Sequence, residues 1–144
     1  MVSITINGKK IDVAEGTTIL AAAKEAHIII PTLCFLEEFE AVGACRLCVV
    51  EIEGENKLAA ACSRNIAEGM VINTHSPRVR KSRRMVVELL MANHAADCFT
   101  CERNQICELL KVSNDLGLKD IRFDAPREEK PLDTTSPSLV RDPN

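Results

Sequence analysis

The segment SITINGKKIDVAEGTTILAAAKEA, residues 3–26, decides how the fold begins. Ser3 to Ile6 alternate polar and apolar, the period of two that a half-buried strand requires. Asn7-Gly8 follows, and both residues accept positive φ, so the pair predicts a tight hairpin turn. Lys10 to Val13 is then the return strand, closed by Glu15-Gly16. Thr17 or Thr18 can cap a helix over Ile19 to Ala26. Strand, hairpin, strand and helix in that order make the opening of a β-grasp fold.

Outward from this opening, Ile28 to Pro31 leads into a loop carrying Cys34. Val49 to Ile52 and Lys57 to Ala61 predict a second hairpin about Gly54, and Met70 to Ile72 a last short strand. The character changes at Ser76-Pro77, an N-cap residue followed by proline at the first helical position. The helix is expected to run to about Asn93, with Val79, Val86, Leu89 and Leu90 on one face. A second helix passes through Cys107 to Leu110 and stops near Gly117. From about Lys119 the chain turns polar and holds four of the six prolines, which predicts an extended tail. The expected divisions are 1–76, 77–118 and 119–144.

The 7 cysteines fall into two groups. Cys34, Cys45, Cys48 and Cys62 have the spacing C-x10-C-x2-C-x13-C. A [2Fe–2S] centre needs two thiolates per iron, and a Cys-x-x-Cys loop with flanking single cysteines supplies them. Gly43-Ala44 and Ala59 to Ala61 are small enough to let backbone N–H groups approach the sulfurs. Leu33, Phe35 and Leu47 can shield the centre from water. A structural zinc site more commonly uses two Cys-x-x-Cys knuckles, and here there is one, so the spacing favours [2Fe–2S].

The remaining cysteines stand with a histidine: His94, Cys98, Cys101 and Cys107, spaced H-x3-C-x2-C-x5-C. Three thiolates and one imidazole can close a [4Fe–4S] site, but the same four ligands suit a structural zinc ion. Spacing alone leaves both open. His27 and His75 have no cysteine at ligand distance in sequence and are expected at the surface or in turns.

Composition narrows the class. The chain has 144 residues, a net charge of −3 and neither Trp nor Tyr. The charge balance gives no nucleic-acid footprint, and the core must be small and aliphatic. Clusters would then supply part of the folding energy. Met1 opens directly onto Val-Ser-Ile-Thr-Ile without a signal-peptide pattern, which predicts a cytoplasmic location. The basic run Arg78, Arg80, Lys81, Arg83 and Arg84 is expected to be a solvated helix face. There is no phosphate-binding glycine loop, no Ser-His-Asp order and no carboxylate pair of catalytic spacing. The catalytic set is therefore none.

The two motifs in tandem resemble the N-terminal iron–sulfur region shared by three groups of proteins. These are multi-cluster [FeFe]-hydrogenases, NAD-linked formate dehydrogenases and the large iron–sulfur subunit of respiratory Complex I. The resemblance covers the whole chain and moves the second site to [4Fe–4S]. It implies an α+β chain: a β-grasp [2Fe–2S] ferredoxin-like domain, a small helical [4Fe–4S] domain with one histidine and three cysteine ligands, and an extended tail. It also implies single-electron relay through one [2Fe–2S] and one [4Fe–4S] cluster, between a flavin/NAD(P)H-oxidising subunit and a catalytic domain or subunit. Ser136 to Asn144 looks like the linker that leads, in the first two groups, to further clusters. The chain is thus expected to be the N-terminal part of an NAD(P)-linked [FeFe]-hydrogenase or formate dehydrogenase; the alternatives are a stand-alone relay subunit of a Complex I-like assembly and a zinc-stabilised interaction domain without a redox role.

Overall fold

A computed structural model describes residues 1–94, 97–123 and 131–141. The first hairpin forms as the alternation requires, with β1 at Val2–Ile6 and β2 at Lys9–Val13. Asn7 and Gly8 sit at φ 51° and 83°, the double left-handed geometry of a two-residue hairpin turn. Helix α1, Ile19–Glu25, is capped by Thr18, whose hydroxyl accepts the Ala21 N–H. Ile19, Ala22 and Ala23 are its buried side chains, the i, i+3, i+4 stripe of an amphipathic helix.

Strands β3 at Val49–Ile52, β4 at Ala59–Ala60 and β5 at Val71–Asn73 complete one five-stranded sheet, in the order β2-β1-β5-β3-β4. β5 lies parallel to β1 and antiparallel to β3, so the chain crosses over to the middle of the sheet, as a β-grasp requires. β4 is shorter than the expected Lys57 to Ala61. The core is aliphatic: Ile4, Ile6, Ile19, Val50, Ile52 and Ile72 are almost wholly buried.

The first N–H groups of a helix have no partner within it. Here Ile19 N–H donates to Arg64 O and Leu20 N–H to Ala61 O, both at 2.9 Å. Ile66 N–H returns the tie to Thr17 O at 3.0 Å. The start of α1 is therefore fastened to the segment that carries Cys62.

Helix α2, Pro77–Ala92, is capped by Ser76, whose hydroxyl accepts the Val79 N–H. Its buried face differs from the expected one. Val79, Arg83 and Val87 point inward with Glu88, while Leu89 and Leu90 are exposed. The sheet takes the line of residues four apart, because β3 is what α2 packs on. The basic run is correspondingly not one solvated face. Arg78, Arg80, Lys81 and Arg84 are exposed, but Arg83 is buried.

A short 3-10 turn at Asn104–Ile106 leads into helix α3, Glu108–Asp115, which packs against α2. The tail is tied down at its start. Arg122 donates to the buried Glu88 carboxylate through its backbone N–H, Nε and Nη2, at 2.8, 2.8 and 2.7 Å. Further on, Asp133 and Arg141 pair backbone to backbone in a closed turn. The expected tail at 124–130 and 142–144 lies outside the described residues. No helix among the described residues is long and apolar enough to cross a membrane.

The Arg122 side chain and backbone hold the Glu88 carboxyl at about 2, below its ordinary 4.5. A carboxylate depressed by folding stabilises above its unfolded value, and that stability is lost as pH falls through the folded one. Acidification from about 4.5 towards about 2 should therefore release the segment around Arg122, measured as faster amide exchange there. Glu88→Gln should remove this dependence; an unchanged acid profile in the variant would show the pair does not fasten the tail.

Candidate iron–sulfur centres

The loop between α1 and β3, residues 26–48, has no regular secondary structure, and a stretch of that length inside a compact fold points to function. Left-handed turns shape it. Gly43 has φ 64°, and a Cβ there would come to 3.4 Å from Ser63 Oγ, so the backbone runs close to the segment after Cys62. Arg46, between Cys45 and Cys48, has φ 56°. A non-glycine residue in that region carries strain, and such strain gathers at functional sites.

This loop and the end of β4 bring all four expected thiols together as two pairs. Cys34 Sγ accepts the Cys45 N–H at 3.5 Å, and the two side chains meet. The Cys48 and Cys62 side chains meet in turn, and the Cys34 charge is felt at Cys62. Ala61 N–H donates to Cys48 O at 3.1 Å, joining the two strand ends beside the second pair. Cys48 and Cys62 are both about 2% exposed, whereas Cys34 and Cys45 are half-buried. Leu47 is fully buried beneath the loop, with Leu33 and Phe35 half-buried.

The pairs differ in acidity. Burial pushes the Cys62 thiol up, the Cys48 thiol and the charges of Cys48 and Cys34 add to it, and it reaches about 11. Burial is also the largest influence on Cys45 and would raise it. The Leu47 backbone, the Cys34 side chain and the backbone at Cys34 and Leu33 together outweigh burial, leaving Cys45 lowered.

No three of the described His, Cys, Asp and Glu side chains close around a point that would hold a single metal ion. Two thiol pairs are the donor set of a two-iron centre, two thiolates to each iron. In this respect the residues present fit a [2Fe–2S] cluster.

The second set lies on the segment from the end of α2 to the start of α3. Asn93 caps α2, and the exposed His94 follows, its N–H donating to Met91 O at 3.1 Å. Cys98 is half-buried and Cys101 exposed. Two turns shape this loop: Cys101 N–H donates to Asp97 O, and Asn104 N–H to Cys101 O, both at 3.1 Å. Cys107 caps α3, its sulfur accepting the Leu110 N–H at 3.4 Å. Ala95 and Ala96 lie outside the described residues. His27, at φ 60° just beyond the end of α1, and His75, whose Nδ1 is 2.6 Å from Thr74 Oγ1, are exposed turn residues as expected.

Comparison with known proteins agrees with this division of chemistry. Residues 1–77 match the 2Fe-2S iron-sulfur cluster binding domain, and residues 83–122 match the NADH-ubiquinone oxidoreductase-G iron-sulfur binding region. The chain is 40% identical to the NADP-reducing hydrogenase subunit HndD of Solidesulfovibrio fructosivorans, over 99% of this chain and 25% of that protein. It is 39% identical to the NADPH-Fe(3+) oxidoreductase subunit alpha of Geobacter sulfurreducens, over 100% of this chain and 17% of that protein. It is 36% identical to the mitochondrial NADH-ubiquinone oxidoreductase 78 kDa subunit of Candida albicans, over 85% of this chain and 17% of that protein. In solved structures, a chain of an NAD+-reducing [NiFe]-hydrogenase in the H2-reduced state superposes with a TM-score of 0.88 at 31% identity, covering 99% of this chain and 60% of that one. The chain thus spans a quarter or less of these curated relatives.

Because Cys45 is held acidic and Cys62 is not, an alkylating reagent at about pH 8 should modify Cys45 of the metal-free chain well ahead of Cys62. Peptide mass mapping over time would show the order. Equal rates would mean that the loop does not hold the pairs as described.

Proposed function

The chain belongs to the 2Fe-2S iron-sulfur cluster binding domain family, and from that premise we propose that it is the electron-relay region of a larger NAD(P)-linked oxidoreductase. It is an iron–sulfur electron-transfer module with one [2Fe–2S] and one [4Fe–4S] cluster. The observation that carries the reading is the two-by-two meeting of Cys34 with Cys45 and Cys48 with Cys62. In the proposed assignment the first pair holds one iron and the second pair the other. His94, Cys98, Cys101 and Cys107 hold the [4Fe–4S] cluster, Cys107 from the start of α3.

When bound, each cluster accepts and returns one electron without making or breaking a bond to substrate. The chain's own residues hold the thiolates, exclude water and set the local charge. Leu47, fully buried between Cys45 and Cys48 in the chain, helps to exclude water from the first centre. Backbone groups already meet these sulfurs, Cys45 N–H at Cys34 and the Leu47 backbone at Cys45, and such hydrogen bonds tune potential.

Each ligand loop also presents apolar side chains to solvent. Leu36, Phe39 and Val42 are exposed between Cys34 and Cys45, and Phe99 and Ile106 beside the second set. Exposed apolar side chains at both centres support docking of redox partners there. The proposed donor is a flavin/NAD(P)H-oxidising subunit, and the proposed acceptor a catalytic domain or subunit. Curated relatives several times longer than this chain support its being one part of such an enzyme, and the reading places it in the cytoplasm. The proposed organisation is a first module at 1–76, a second at 77–118 and a tail from 119.

Anaerobic reconstitution should give about six irons and six acid-labile sulfides per chain, two from one cluster and four from the other. Cys48→Ser should remove or distort the [2Fe–2S] signal and leave the [4Fe–4S] signal. Stoichiometric zinc without iron, or loss of both signals from the single change, would overturn the reading.

A further inference from the structure

Arg83 is 3% exposed, on a helix whose neighbouring cations Arg78, Arg80, Lys81 and Arg84 all reach solvent. Its Nη2 donates to Val49 O at 2.9 Å, and its Nε, also buried, has no hydrogen-bond partner. Among the described residues it forms no ion pair with a carboxylate. A buried cation without a counter-ion is costly and is not kept without compensation. Burial lowers the guanidinium to about 10, and the one charge that opposes this is that of Cys48, the residue before Val49.

Four thiolates around two ferric irons and two sulfides leave a net double negative charge, and reduction by one electron adds a third. That is the counter-charge missing from the environment of Arg83. We propose that Arg83 is the internal counter-cation of the [2Fe–2S] centre, delivered by α2 to the Cys48 side of the cluster, where it favours the reduced state. The inference rests on Cys48 being a ligand. It adds that the helix expected to open the second module sets the potential of the first centre. One electron enters from an external one-electron donor and lowers one ferric iron to ferrous. No bond changes and no proton is taken up, so the added negative charge stays on the cluster, facing the guanidinium.

The test is a redox titration of the full chain, anaerobically reconstituted and followed by electron paramagnetic resonance. It compares wild type with Arg83→Gln, Arg83→Lys and Arg83→citrulline. Citrulline keeps the shape and the donor to Val49 while removing the charge, so it reports even where the glutamine variant fails to fold. The neutral variants should shift the reduced-to-oxidised ratio of the [2Fe–2S] centre at least about tenfold towards oxidised, about 59 mV for a one-electron couple. The [4Fe–4S] potential should not move, and Arg83→Lys should stay close to wild type. A [2Fe–2S] signal at unchanged potential in the citrulline variant would overturn the inference, as would an equal fall at both clusters. Absence of any [2Fe–2S] signal in the wild type would instead overturn the ligand assignment beneath it.

Discussion

The meeting of four thiols as two pairs, one buried and one half-buried, is the constraint on which the rest of the structure depends. Neutral thiols hold such a place weakly, and the Cys62 thiol, pushed up by burial, must give up its proton when a metal binds. The surrounding sheet is small, aliphatic and without Trp or Tyr, so it has little surplus stability with which to hold a long loop shut. The ties that position the pairs are backbone ties: α1 to the Cys62 segment, and Ala61 to Cys48 across the strand ends. Each fixes a sulfur by fixing the chain a residue or two away.

The same economy joins the two halves of the molecule. α2 packs on β3 through Val79 and Val87, with Arg83 between them reaching the carbonyl next to Cys48. Arg78 pairs with Glu51 of β3 at 3.7 Å, an exposed contact of small worth. Glu88, buried on the same helix, holds the start of the tail through Arg122. One helix thus reaches the strand that follows Cys48, carries His94 just past its end, and anchors the segment around Arg122.

Much of this was legible in the residues. Asn7-Gly8 marked the hairpin because two consecutive left-handed residues are otherwise rare, and Ser76-Pro77 marked α2 because cap and first position ask for those two side chains. The cysteine spacing identified the set that meets in space. What the sequence hid was rotational. Val86, Leu89 and Leu90 look like a helix face as plausibly as Val79 and Val87 do, and only the position of β3 decides. Arg83 was lost in a run of five cations for the same reason, although its spacing of four from both Val79 and Val87 was the signal that could have singled it out. The Glu88–Arg122 pair spans too much sequence for any local pattern to reveal it.

Mössbauer spectroscopy of the chain reconstituted with isotopically labelled iron tests the central claim most directly, because it counts irons by environment. The account predicts two components with areas of two to four, the smaller from a two-iron cluster at Cys34, Cys45, Cys48 and Cys62, lost when those thiols are replaced. A single component insensitive to those replacements would contradict it.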